Sequence, residues 1–383
     1  LDPEFKTLPD IRPQPGAYTL NEGRATLKPE KDGADAPKWT DAGIEDRIRQ
    51  AAVAADAPAN ASYNLGALLA FKGDRAGAGA AFEKAFAKNP QDGDALAQQG
   101  RLELAEGRTA DAVAKFDKAL QIDPANSVAN NYYASKAQRD RNYPEAINLA
   151  RKALVSDPDS MDAYEVLGAA YLELGLTDVG VLVGRNALSL SPSDGPIQNL
   201  LALTFLKTGE VRQAVQLFQK AVRDDPRLFD ARMNFGAVTL AYKDATTAVE
   251  QFAEAARLRP TSVEARLGHA VALRGLNKGE DALRILVDLA RDPNNADVRF
   301  NLCLVYQESL NKLDLAVNEC DAFLRLAGVN HPKRKEATRR LESLRLQIEA
   351  ERAPAPMPAP VPVPAPATTP EAVPAPAEAA GGK

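Results

Sequence analysis

Few side chains in this sequence could do chemistry. Its 383 residues include two histidines, His269 and His331, and two cysteines, Cys303 and Cys320. A metal site needs three or four His, Cys or carboxylate ligands at short, regular spacings. His269 lies on an amphipathic helical stretch just before Ala270, with no second ligand at such a spacing, and reads as a helix-face imidazole. His331 precedes Pro332 in a loop and is expected to be solvated. Cys303 and Cys320 are too far apart for a zinc signature, and two readings stay open. One is a disulfide, if the protein is exported. The other is a pair of buried thiols acting as small core residues. Gly175, Gly180 and Gly184 do not form a phosphate cradle, because no Lys-Ser or Lys-Thr follows in the required place. The acidic residues are scattered, with no pair to which acid and base roles could be given. The residues therefore predict no catalytic site, no metal and no cofactor, and hydrolase and transferase readings are disfavoured.

The elements that would carry these residues are helices. Aromatic residues make up only 6% of the chain, and alanine is abundant. Helices packed closely through small side chains produce that balance, whereas sheets favour β-branched and aromatic residues. The 47 basic and 52 acidic residues leave a net charge of −5. Both signs are interleaved, which argues against the basic stripe of a nucleic-acid binder. No stretch approaches the roughly 18 apolar residues that a membrane-spanning helix requires. The chain begins at Leu1 and not Met. This raises the expectation of a removed upstream segment, such as a secretory signal, while residues 1–5 read as a cloning remnant.

Periodicity decides the architecture. Prolines stand at positions 90, 124, 158, 192, 226 and 260, a constant step of thirty-four residues. Ahead of each lies a small residue in a fixed column: Gly66, Gly100, Ala134, Gly168, Ala202 and Gly236, continued by Ala270. A second column holds Ala78, Ala112, Ala146, Gly180, Ala214 and Ala248, and a third Ala85, Ala119, Ala153, Ala187, Ala221 and Ala255. A large residue recurs between them as Phe82, Phe116, Phe218 and Phe252. Antiparallel helices approach closely only where both carry small side chains, and the Phe fills the space left between them. The apolar residues recur at i, i+3 and i+4, so both helices of each unit are amphipathic. The proline cannot continue the second helix and turns the chain. Breaks such as Lys72-Gly73-Asp74 and Glu106-Gly107-Arg108 separate a helix A from a helix B. Ala150 and Gly184 stand where Phe is usual, so the third and fourth units are expected to have loosely filled cores.

This thirty-four-residue pattern of small and large positions resembles the tetratricopeptide-repeat (TPR) family. The resemblance covers 59–330, as units 59–92, 93–126, 127–160, 161–194, 195–228, 229–262, 263–295 and 296–330. The seventh unit is one residue short before Pro293, and the eighth carries one extra residue near Asn311 and Lys312. The resemblance implies an all-α fold, a right-handed TPR superhelix (an α-solenoid) of about eight helix-turn-helix repeats with capping helices. Residues 39–58 are read as an N-terminal cap, with Ile44 and Ile48 on one face. Residues 331–352 are read as a C-terminal cap, with Leu341, Leu344 and Ile348 on one stripe. Residues 1–38 read as a linker, and the Ala/Pro-rich 353–383 as an extended tail without a packed core.

The resemblance also implies that helix A of each unit lines a concave groove. Carried over position by position, it assigns Tyr63, Asn64 and Phe71 in the first unit and Arg101 and Leu104 in the second. Asn131 and Arg139 follow in the third, and Asn199, Leu203 and Leu206 in the fifth. Met233, Asn234 and Leu240 come from the sixth, Leu267 and Arg274 from the seventh, and Phe300 and Asn301 from the eighth. In some TPR proteins such recurring asparagines hold the backbone of an extended peptide, for which an amide that both donates and accepts is suited. The alternative is that Asn before an apolar-Gly pair is a habit of the repeat. The leucines would leave a long apolar strip, the usual mark of an interaction site, fit for an amphipathic helix or an extended segment. The Lys/Arg cluster of a peptide-carboxylate clamp is not reproduced, since Arg101 and Arg139 are its only candidates in the first three units.

The functional expectation is a noncatalytic protein-binding scaffold. The sequence style resembles exported bacterial TPR lipoproteins of type IV pilus and gliding-motility machines. That likeness implies a periplasmic or outer-membrane-associated location, with membrane association through an upstream lipid anchor. The alternative is a cytoplasmic peptide- or chaperone-binding adaptor.

Overall fold

The computed structural model describes residues 42–54 and 57–352, with side chains from Glu45 onward. Trp39, the side chain of Ile44, and the expectations for residues 1–38 and 353–383 lie outside the described residues. Eighteen α-helices and no strand are found among the described residues. The chain divides into two compact units, residues 1–276 and 277–383.

In the first unit α1 (Ala42–Val53) packs on α2 (Ala59–Lys72), which pairs with α3 (Arg75–Lys88). The next pairs are α4 (Gly93–Ala105) with α5 (Thr109–Ile122), α6 (Ser127–Arg139) with α7 (Tyr143–Ser156), and α8 (Met161–Glu173) with α9 (Thr177–Leu190). Then come α10 (Gly195–Thr208) with α11 (Val211–Asp224), and α12 (Phe229–Ala241) with α13 (Ala245–Leu258). Helix α14 (Val263–Gly275) closes this unit against α13. Each first helix is a helix A, each second a helix B, and every B also packs on the following A. The cores are accordingly local, such as Ala112, Phe116, Ala119 and Ala129 in one and Ala202, Phe205, Ala214 and Phe218 in another. That is the nearest-neighbour organisation of a repeat array.

The columns of the sequence explain the hairpins. A methyl group on Gly66 would come within 2.8 Å of the Phe82 ring, and one on Gly100 within 2.8 Å of Phe116. In these two repeats helix A closes onto the aromatic ring of helix B at a residue that lacks a side chain. The A–B turn needs one residue in the left-handed region, and the sequence supplies it at a constant step. These residues are Gly73, Gly107, Arg141, Gly175, Gly209, Lys243, Asn277 and Asn311, with φ between +50° and +88°. Glycine takes this conformation without a Cβ penalty, which non-glycine residues must absorb. Asp, Asn or Ser caps start many of the helices. Asp92, Asn126, Asp194 and Asn295 accept from the backbone N–H three residues on, as do Asp74 and Asp244 on helices B.

The expected looseness of the fourth core is corrected. Leu200 and Leu201, from helix A of the next repeat, move into the space that a Phe would occupy. A Cβ on Gly168 would lie 2.5 Å from Leu200 Cδ2, and one on Gly184 would lie 3.2 Å from Leu201 Cδ1. In the third repeat the helices close directly over Ala134, Ala146 and Ala150, with Val166, Leu167 and Tyr171 packed against them. Gly168→Leu should then destabilise the first unit by about 1–3 kcal/mol through overpacking. Denaturant unfolding followed by circular dichroism reads this, and an unchanged midpoint would show that Leu200 yields freely.

In the second unit α15 (Gly279–Leu289) precedes the hairpin of α16 (Ala296–Leu304) and α17 (Leu313–Leu326). The extra residue of the eighth repeat is not in the turn near Asn311 and Lys312. It is taken up in helix A as a π-helical turn, Val305–Ser309, which keeps Asn311 in the left-handed column. Helix α18 (Arg334–Arg352) lies on α17 with Ala337, Leu341 and Leu344 buried. Its Arg340 pairs with Glu308 at 2.8 Å and donates to Gln307 at 3.1 Å, tying α18 to the π-helical turn.

Candidate protein-binding face

In the first unit, consecutive helices A from α4 to α14 touch one another, and consecutive helices B make no contact of comparable extent. The A side is therefore the shorter, inner side of this unit, a surface continuous across repeats. Hydrogen bonds cross it from one helix A to the next. Asn234 donates to Asn199 Oδ1 at 3.0 Å, and Lys207 Nζ donates to the Leu172 carbonyl at 3.0 Å. Asn131 donates to Ser160 Oγ, at the start of α8, at 2.8 Å.

Most of the assigned residues fall into three groups on this framework. Tyr63, Asn64 and Phe71 are buried on α2, where the Tyr63 ring meets Phe82 edge-on at 5.4 Å. Phe300 and Asn301 are buried in the second unit: Phe300 against Phe323 at 5.1 Å, and Asn301 donating to the Asp297 carbonyl at 2.8 Å. The third group is half-buried and forms a strip. It holds Asn199, Leu203 and Leu206 on α10, Met233, Asn234 and Leu240 on α12, and Leu267 and Arg274 on α14. Arg101, Leu104 and Asn131 are also half-buried, and Arg139 is exposed. The asparagines are engaged within the chain: Asn131 with Ser160, Asn199 with Asn234, Asn301 with the backbone of its own helix. Sequence columns located these residues but not the Asn199–Asn234 bond, which depends on how closely α10 and α12 approach.

The remaining chemistry-bearing residues are structural. Cys303 and Cys320 are joined as a disulfide with a Cα separation of 5.2 Å, and both are fully buried beneath Leu341 and Leu344. His269 is half-buried on α14. His331, expected to be solvated, is instead half-buried, because its ring packs edge-on against Phe323 at 5.1 Å and its Nδ1 accepts from the Lys333 N–H. Shifted acidities trace to local pairing. The hydrogen bond from Lys136 holds the Asp140 carboxyl below its usual range, and Thr247 at the start of α13 does the same for Asp244. Burial, then the hydrogen bond to Asp117, pushes the Tyr133 phenol up. Among the described residues no three His, Cys, Asp or Glu side chains gather as a metal site needs, and no helix is long and apolar enough to cross a membrane.

A family profile described as "Tetratricopeptide repeat" matches residues 63–127, 134–195 and 199–263. Among known proteins, the BBSome complex member BBS4 of Bos taurus is 23% identical over 278 residues, covering 72% of this chain and 53% of its own. The chain spans about half the length of the curated relatives it matches. Among solved structures, Pseudomonas aeruginosa PilF is 20% identical, with 58% of this chain and 96% of that one covered and a TM-score of 0.44. Yeast Tom70 is 17% identical, with 82% and 76% covered and a TM-score of 0.43.

Proposed function

The chain belongs to the tetratricopeptide-repeat family, and from that premise we propose that it holds a segment of a partner protein against its A-helix face. The fold is a protein-interaction fold, typically without catalysis. The observation that carries the proposal is the half-buried apolar strip of Leu203, Leu206, Met233, Leu240 and Leu267 on three successive helices A. Apolar side chains left partly open on an inner surface gain by being covered, at roughly 25 cal/mol per Å² removed from water. The strip runs across helices and is bordered by Asn199, Asn234 and Lys207, so an amphipathic helix or an extended segment with an apolar face suits it. The asparagines shape the wall, and the leucines supply the attraction.

Leu203→Glu with Leu240→Glu should abolish partner capture while leaving helicity nearly unchanged, since both side chains are half-exposed. Affinity capture from the native cell, quantified by mass spectrometry for wild type and double variant, reads this. Equal capture by both would move the site off the A-helix face.

We propose further that the protein works in an oxidising compartment, as a subunit of a bacterial envelope machine of the type IV pilus or gliding-motility kind. The Cys303–Cys320 pairing supports the compartment, because disulfides persist in exported proteins and are rare in the cytosol. The sequence style supports the class of machine. Trapping thiols in intact cells tests the first part: both cysteines should resist alkylation until reductant is added, and rapid labelling without it counts against export.

A further inference from the structure

The apolar strip on the A-helix face has a gap at Ala237. In register along helix A, the same position of the first unit holds a small residue at Ala67, Ser135, Ala169 and Ala237. Ala67 is fully buried. Ser135 stands between Asn131 and Gln138, and Ala169 between Glu165 and Leu172, so polar side chains border both. Ala237 differs. It is exposed on α12 between Met233, four residues before it, and Leu240, three after, the spacing that puts side chains on one helix face. The same position carries Leu203 on α10 and Val271 on α14, both half-buried like Met233 and Leu240. A small exposed residue ringed by four larger apolar ones is a socket. Its walls are anchored below: Leu203 packs on the core of Phe205, Phe218 and Val238, while Met233 and Leu240 pack on Phe252 and Ala272. They are held where they stand and do not fold over Ala237.

We infer that this socket receives one bulky apolar side chain from an amphipathic α-helix of the partner protein. The inference rests on the A-helix reading above and narrows it. One large side chain set among four is how helices interlock in knobs-into-holes packing. The width of the patch also selects a helix. Met233 and Leu240 are seven residues apart, about 10 Å along α12, which matches the diameter of a helix with its side chains. A single extended strand covers only about 5 Å. An extended segment would further need its backbone N–H and C=O groups paired, and Asn199 and Asn234 already bond to each other across this wall. A helix brings its backbone satisfied. The three helices A give it a track of roughly 20 Å, about thirteen helical residues.

Charges border the patch by edge. Asp230 and Glu264, both exposed, stand in the first turns of α12 and α14, and Lys207 and Arg274 near the ends of α10 and α14. Arg232 donates to the Pro226 carbonyl and to Gln251 and so belongs to the other side of α12. The complementary helix carries basic residues on one flank of its apolar stripe and acidic residues on the other, which fixes its direction along the face.

Synthetic helical peptides of about 18 residues, five turns, test this against the full chain by fluorescence anisotropy. They share a leucine stripe with Lys on one flank and Glu on the other, and differ only in a central Ala, Leu or Phe. Affinity should rise at least tenfold from Ala to Leu or Phe. Ala237→Leu should erase that rise by filling the socket, and because the new side chain is apolar the loss cannot come from added charge. Ala237→Ser leaves the socket open and should bind as wild type does. Both positions are solvent-facing, so circular dichroism should stay the same. Peptides with Lys on both flanks or Glu on both should bind more weakly than the mixed one. Binding that is lost in Leu203→Glu with Leu240→Glu but is indifferent to Ala237→Leu overturns the socket and leaves the A-helix reading standing. Binding indifferent to all of these changes overturns both. No saturable binding by any peptide, or equal binding by a proline-interrupted peptide of the same composition, overturns the helix as occupant.

Discussion

Phe252→Ala should cost the first unit about 3–5 kcal/mol, the range for removing a large aromatic ring from a core that cannot collapse. Phe252 is 4% exposed and lies between two glycines of adjacent helices A. A Cβ on Gly236 would approach its ring to 3.0 Å, and one on Gly268 to 2.7 Å. The ring is thus the filler both within the sixth repeat and between it and α14. With the ring gone neither glycine offers a side chain to fill the cavity, so little of the loss is recovered by relaxation. Unfolding in a repeat array need not be all-or-none. Urea unfolding should therefore be followed by circular dichroism together with hydrogen exchange. Protection should fall first in α12, α13 and α14. A loss spread evenly from α2 to α14 would mean that the repeats couple more strongly than their local cores imply. Restoring bulk by Gly268→Ala in the Phe252→Ala background should recover part of the stability, although the same change in wild type is unfavourable.

Replacing Cys303 and Cys320 with Ala should destabilise the second unit by about 2–4 kcal/mol, the usual range for losing a disulfide. The two positions are 17 residues apart. The bond ties α16 to α17 across the π-helical turn, where five residues leave the regular helical ladder. It also lies under Leu341 and Leu344, so its loss loosens the seat of α18. The effect has a built-in control. Reductant should lower the stability of wild type toward that of the variant and leave the variant unmoved. Protease nicking near residues 305–312, read by mass spectrometry, should rise in both reduced wild type and variant. Equal resistance to protease with and without the disulfide would assign the stability of this unit to α18 packing alone.

Much of the architecture is legible in the residues. The proline column marks the end of helix B in six repeats, and the Gly/Ala columns against Phe82, Phe116, Phe218 and Phe252 mark four hairpin cores. The left-handed turn column was only half legible, because glycine reveals it at Gly73, Gly107, Gly175 and Gly209 but Arg141 and Lys243 do not. Those two adopt positive φ because the hairpins around them hold the turn to one geometry. The candidate site was readable as a set of positions and not as a surface. Columns identify Leu203 and Leu240 as equivalent faces of helices A, yet they give Tyr63 and Phe300 the same standing, and the structure buries both. Burial depends on what packs over a helix, which lies outside the repeat unit itself.

The sequence by itself determined that this is an array of helix pairs, the period at which the pairs repeat, and which helix carries the core phenylalanine in the first, second, fifth and sixth repeats. These follow from short-range rules: side-chain size at facing positions, helix-breaking residues and period. The tertiary structure alone decided how Leu200 and Leu201 fill the fourth core, where the extra residue of the eighth repeat goes, and which candidate residues remain open to a partner. Each of these is set by the distance between neighbouring helices, and that distance is a compromise among all the side chains at the contact.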